Sequence, residues 1–301
     1  MTGDLIGSAM IVMFGSAFFG LLVNSTTGIT LSHSGPSVAT ITALGQASGG
    51  GKSLTSATTT VFGSNTGNLA VCTIEALGTT APTSVVENNG AGNTGVLEAS
   101  GSVGATNSVF IYFINLTTTG SNVVVVSFAA ATTFVITLEE YSGTVLHPGT
   151  IGTANTGNSQ AATASLVTST TGSWVVGAAS ANGPNLPLSP GSGTTQRSAI
   201  GTVGGAGATN VAGDLVDNNM AVSSGTNVAL NVNIPTSAEP WVMVDVELLA
   251  LQTPGVTVNA NTNITATIGL VPLIRLIPFV FGALILLAVF AVFEPRFPGG
   301  L

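Results

Sequence analysis

The run Gly45-Gln-Ala-Ser-Gly-Gly-Gly-Lys52-Ser53 carries the residue types that cradle a phosphate. Glycines let backbone N–H groups approach closely, and a lysine and a hydroxyl follow them. The spacing does not fit. A phosphate-binding loop places four residues between its first glycine and Gly-Lys-Ser/Thr, and counting back from Gly51 that glycine belongs at 46, where the chain has Gln46. The following LTSATTTVF reads as a strand, whereas a phosphate cradle needs a helix N-terminus. The run is therefore expected to be a hairpin loop without a nucleotide.

Paired carboxylates are the next chemistry available. Glu139 and Glu140 are adjacent, so on a strand they point to opposite faces. A glycosidase pair would need Glu139 or Glu140 to meet Asp245 or Glu247 from another strand. The simpler expectation is that all four sit at strand edges or ends, where charge discourages stray pairing. Asp214, Asp217, Asn218 and Asn219 in GDLVDNN offer hard oxygen donors, but not at EF-hand spacing. A solvated turn is expected there, with Asp214 and Asp217 as weak metal candidates. His33 and His147 have no companion at metal-ligand spacing, and the Gly-x-Ser-x-Gly elbow of serine hydrolases is absent. Trp174 and Trp241 each open a valine-rich run. They are weak candidates for stacking on a sugar, with core or rim packing as the plainer reading. Cys72, the one cysteine, allows no intrachain disulfide and reads as a small buried hydrophobe. No catalytic residue, cofactor or metal is assigned, and an enzyme is not expected.

Composition narrows the class further. Only 5% of residues are charged and the net charge is −8, with Lys52, Arg197, Arg275 and Arg296 the only bases. Nucleic-acid binding needs several bases aimed at phosphates, so that partner is excluded. Two uncharged apolar runs, Leu5 to Val23 and Leu276 to Phe293, flank the chain. At 1.5 Å rise per residue the second would span about 27 Å as a helix, close to a bilayer core. Both are expected to be transmembrane helices. The first is a poor signal peptide, because Met1 to Asp4 offers an acid and no base. The expected organisation is an N-terminal span in 1–30, an external domain in 31–252, and a linker with a C-terminal span in 253–301. Sequons at Asn24, Asn115 and Asn263 fall between the spans and are glycosylation candidates.

Between the runs the pattern is short β-favouring segments separated by Gly, Asn, Ser and Pro clusters, as in an antiparallel sandwich or barrel. Expected strands include 37–44, 69–77, 108–116, 122–128, 133–141, 173–180, 227–234 and 240–249. Nothing recurs at a fixed period, which argues against a solenoid or propeller. The segments NVVVVSFAAATTFVITLEEYSGT, SWVVGAASANG, PGSGTTQRS and PWVMVDVELL resemble a loosely defined family of extracellular jelly-roll-like modules in bacterial, archaeal and viral surface proteins. The resemblance covers roughly residues 50 to 250 and implies a β-sandwich displayed outside, with no catalytic residues to carry over. The expectation is a mainly β, jelly-roll-like antiparallel sandwich flanked by membrane helices. Its role is that of a structural, homo-oligomerising protein of a virion envelope, capsid or cell-surface layer, in contact with a lipid bilayer, copies of itself and other envelope proteins. The rival reading is an adhesin for surface glycans or a receptor.

Overall fold

The computed structural model describes residues 37–88, 92–183, 187–201, 209–235, 238–253 and 282–286. Val38–Thr253 forms one compact unit. The other, Met1–Ser37 with Pro254–Leu301, falls almost wholly outside the described residues. The strands are β1 (Ser37–Val38), β2 (Thr42–Thr58), β3 (Phe62–Ser64), β4 (Leu69–Leu77), β5 (Ser84–Glu87), β6 (Val96–Val103), β7 (Asn107–Asn115), β8 (Gly120–Asn122), β9 (Val124–Ser142) and β10 (Thr144–Ile151). They continue as β11 (Asn155–Ser159), β12 (Ala161–Val167), β13 (Trp174–Asn182), β14 (Ser189–Pro190), β15 (Thr195–Ile200), β16 (Val211–Asp217), β17 (Asn227–Asn233), β18 (Glu239–Ala250) and β19 (Gln252–Thr253).

The unit contains the same sandwich twice. In the first half the large sheet runs β2-β9-β4-β7-β6, and in the second it runs β10-β18-β13-β16-β15 with β11 also on β18. These are the same positions in chain order. The smaller sheets correspond too. The end of β2 pairs with the start of β9, which pairs with β5, and this matches the order β12-β17-β14. Where the first half bends one long strand through both sheets, the second breaks it in two. Pro235, which has no N–H for a ladder, lies in the break between β17 and β18. The duplication is faint in the sequence and survives where backbone geometry demands it. Gly67 and Gly172, 105 residues apart, both precede a central strand with φ of 87° and 90°, a left-handed conformation that favours glycine. An expectation of no repeat thus gives way to a repeat of topology, because a sandwich tolerates almost any sequence with the right alternation.

The two large sheets pack face to face through Leu69, Val71, Ile111 and Phe113 on one side and Val176, Leu215, Val244 and Val246 on the other. Their opposite faces are covered as well. Cys72, Ile74, Ile136 and Leu138 pack beneath Val85, Val124 and Val126, while Ala179, Val216 and Met243 pack beneath Ala164, Leu166, Leu230 and Val232. The result is four layers of β structure, and β13 and β16 are buried along their whole lengths.

Several expectations need correction. The flanking membrane helices do not hold. Among the described residues the one helix is 282–286, and no helix is long and apolar enough to cross a membrane. An apolar run states a solvent preference and does not by itself fix a backbone state. Leu5–Val23 and the remainder of Leu276–Phe293 lie outside the described residues, as do His33, Asn24, Asn263 and Arg275. The glycine run at 45–51 is not a hairpin loop. It lies inside β2, with Gly49 opposite Ile136 and Gly51 opposite Phe134 of β9. The expected strands 122–128 and 133–141 are joined in β9, whose backbone stays extended through Ala129–Thr132 although the burial alternation lapses there.

The core assignment is checked by truncation. Leu215→Ala, at a fully buried joint position, should lower unfolding free energy by about 3 kcal/mol. Leu97→Ala, at an exposed edge position, should stay within about 0.5 kcal/mol. Denaturant titration of both would expose a misplaced core if the costs came out alike.

Candidate functional site

Eight of the ten carboxylates among the described residues are buried: Glu75, Glu87, Glu139, Glu140, Asp214, Asp217, Asp245 and Glu247. For Glu139, Glu140, Asp245 and Glu247 this overturns the expected place at strand edges or ends. These four lie on β9 and β18, central strands where strict alternation sends neighbours to different layers. Glu139 faces the joint between the large sheets beside Tyr141, whereas Glu140 points into the first half's outer layer. Asp245 and Glu247 point into the second half's outer layer with Trp241 and Met243. The imagined glycosidase pairs are therefore divided between layers.

Glu140 and Glu247 hold equivalent places in the two halves and fasten the loop before each central strand. Glu140 Oε1 accepts from the Asn65 N–H at 2.9 Å, Asn65 Nδ2 at 3.2 Å and Asn68 Nδ2 at 2.6 Å. Glu247 accepts from the N–H groups of Thr150, Ser169 and Thr170 at 2.8 to 3.0 Å and from Ser169 Oγ at 2.7 Å. Burial pushes the Glu247 carboxyl upward, but these donors outweigh it and hold the group down at about 2.

The charged centre of the joint is Arg197 on β15. Its Nε donates to Asp217 Oδ2 at 2.6 Å, and its Nη2 donates to Asn219 Oδ1. The guanidinium sits 5.7 Å from the centre of the Trp174 ring. Tyr141 OH donates to the same Asp217 oxygen at 2.9 Å, and Tyr141 meets Trp174 edge-on at 6.3 Å. Tyr141 and Glu139 belong to the first half, and Arg197, Asp217 and Trp174 to the second, so the cluster ties the halves together. Burial pushes Glu139 up to about 7, with Arg197 opposing and Asp217 adding to the rise. Beside the cluster, between β2 and β15, opens a cleft of about 600 Å³ lined by Gln46, Ser48, Thr60, Gln196 and Arg197.

GDLVDNN, expected as a solvated turn, begins as the buried strand β16. Its charges misled because each finds a partner inside. Asp214 accepts from Gln196 Nε2 at 2.9 Å on one face, Asp217 holds Arg197 on the other, and Asn218 Oδ1 accepts the Val175 N–H. The donors do not converge, and among the described residues no cluster of three or more ligating side chains could hold a metal. Neither tryptophan offers an open face. Trp174 is part of the joint, and Trp241 lies in the second half's outer layer with Nε1 donating to Ser159 Oγ at 2.9 Å. Asn115 is exposed at the end of β7. His147 is exposed, and Lys52 Nζ donates to Thr209 Oγ1 at 3.1 Å. Cys72 is buried, which pushes its thiol far above the ordinary range. Sequence reasoning passed over Arg197, Glu75, Tyr141 and Gln196. Arg197 stands in PGSGTTQRS, a run dominated by turn residues. Glu75 alternates in register with Leu69 and Val71, which was the one signal that it faces inward.

No family model, curated protein or solved structure matches the chain.

Two outcomes test the network. Arg197→Met removes the partner of an anion with no exposed surface and should cost about 3 kcal/mol, part of which R197M/D217N recovers. A cost below about 1 kcal/mol would show that the cluster does not hold the halves. Because Glu247 is depressed in the folded state, its contribution is present above about 4.5 and lost as pH falls through about 2. Glu247→Gln should therefore lose about 3 kcal/mol at pH 7 and show a flatter stability profile between pH 5 and pH 2 in denaturant titrations.

Proposed function

We propose that this chain is a structural protein of an external layer, on a virion or a cell surface, that assembles with copies of itself through its β body. The observation that carries this reading is where the charge lies. With eight carboxylates inside, the described exterior keeps only Glu98, Glu239, Lys52, His147 and part of Arg197 as ionisable groups. The rest of the surface is hydroxyls, amides, glycine and scattered exposed apolar side chains, including Val61, Val96, Val167 and Met220. Such a surface offers little like-charge repulsion between neighbouring copies and little for a charged ligand to recognise. The likeness to extracellular jelly-roll-like modules supports the same reading, and the sandwich needs no membrane helix to fulfil it. The adhesin alternative loses its two stacking candidates, since Trp174 and Trp241 are both buried.

Contacts between neutral surfaces are weakly screened by salt. Sedimentation of the full chain at rising concentration should show self-association that changes little between 50 mM and 1 M NaCl, and imaging of the native source should show regular arrays. A monomer at every concentration and salt, scattered singly on its source, would overturn the assignment.

A further inference from the structure

Among the described residues, polar side chains of one half reach the other at several places, Ser198 on the Ala47 carbonyl and Lys52 on Thr209 among them, and between the large sheets two such contacts are complete. Asn107 Nδ2 donates to both the carbonyl and the hydroxyl of Ser180 at 3.0 Å, and Arg197 binds Asp217 beneath Tyr141. A third, at Glu75, is of a different kind. Glu75 Oε1 accepts from Thr73 Oγ1 at 2.5 Å, while Oε2 is buried with no hydrogen-bond partner among the described residues. That oxygen lies against Gly213 of β16, in the other half. A Cβ on Gly213 would fall 2.3 Å from Oε2 and 2.6 Å from the carboxyl carbon. Gly213 has an ordinary negative φ, so it is room, not backbone freedom, that this position supplies. The missing side chain makes a socket, and a carboxyl from the opposite half fills it.

Among the described residues no cation faces the socket. Beside Glu75, β9 presents Val135 and Thr137, with Glu139 farther along next to Arg197. From β16 come Gly213 and, on the strand's other face, Asp214. β13 carries no ionisable side chain, β7 carries only Tyr112 on its far face, and β10 carries only the exposed His147. Cys72 lies on the far face of β4.

We propose that Glu75 in the Gly213 socket is a proton-gated joint: with the carboxyl neutral β4 and β16 close on one another, and its ionisation loosens that contact locally while the apolar packing between the large sheets and the sheets of each half persist. A neutral carboxyl fits an unpartnered dry site, but an anion does not. Burial, with the Asp214 charge adding and the Thr73 hydroxyl opposing, moves the Glu75 ionisation up to about 8. Closure is therefore fully favoured below about 4.5 and is lost as pH rises through about 8. The inference does not depend on whether the protein assembles.

The two tryptophans separate joint opening from unfolding. Full-length W241F retains Trp174, which lies in the joint, and W174F retains Trp241, which lies in an outer layer. Between pH 6 and pH 9.5, Trp174 emission should shift with a midpoint near 8 while Trp241 emission and the far-ultraviolet strand signal stay constant. Glu75→Gln in the W241F background should abolish the shift, and Glu139→Gln should leave its midpoint in place. Asp214→Asn should move the midpoint down, since it removes the neighbouring anion. If E75Q gives no folded protein, the D214N midpoint decides. An unchanged midpoint in D214N, a shift that survives E75Q, or both tryptophans changing together would overturn the proposal.

Discussion

A sheet whose strands are apolar on both faces cannot be satisfied by one partner, and the rest of this molecule follows from that constraint. Leu69, Val71 and their alternates Ala70, Cys72 and Ile74 are all fully buried on β4, as are Val175, Val176, Ala178 and Ala179 on β13. Each large sheet must be covered twice. The smaller sheet of its own half covers one face, and the large sheet of the other half covers the second. Neither sandwich would be a finished object alone, because its broad outer face would leave Val71, Ile111 and Phe113, or Val176, Val244 and Val246, in water.

Burying both faces also decides how the edges behave. The ladders inside each large sheet, β4 with β7 and β9 and β13 with β16 and β18, run in unbroken register. Register shifts appear in the ladders of the edge strands β2, β6, β10 and β15, though not in that of the short β11. An edge strand with a bulge is a poor template for another chain. In a protein so poor in charge, bulges do the work that lysines do elsewhere. Ser198 adds to this by donating its hydroxyl to the Ala47 carbonyl on β2, which occupies an edge acceptor.

How much of this could be read in advance depended on whether a local pattern decided the outcome. LAVCTIEAL is strand β4 from end to end, since a short, nearly continuous apolar run between Asn68 and Gly78 reads as a strand buried on both faces. Trp174 and Trp241 pack within alternating valines, as their neighbours suggest. The pattern failed where a residue's meaning came from a distant partner. Asp217 reads as turn chemistry until Arg197 and Tyr141 are placed beside it, and Gly213 reads as flexibility until Glu75 arrives from a strand more than a hundred residues away. The duplication was hidden for a related reason. Its two copies share positions of turns, caps and strand order, and those are properties of the backbone that many sequences satisfy.

One glycine, Gly143, is all that separates the last strand of the first half from the first strand of the second. Two sandwiches tethered so closely meet at an effective concentration that free partners in solution would not reach. A mutation that would dissolve a homodimer is therefore only a local loss here, and each copy is free to diverge. The divergence is visible: the second half carries Arg197 on β15, while the first carries Glu98 on the corresponding strand β6. A true dyad would present every patch twice and leave the particle without direction. The two diverged halves instead give the body two chemically different flanks, and an object with two different flanks has a direction.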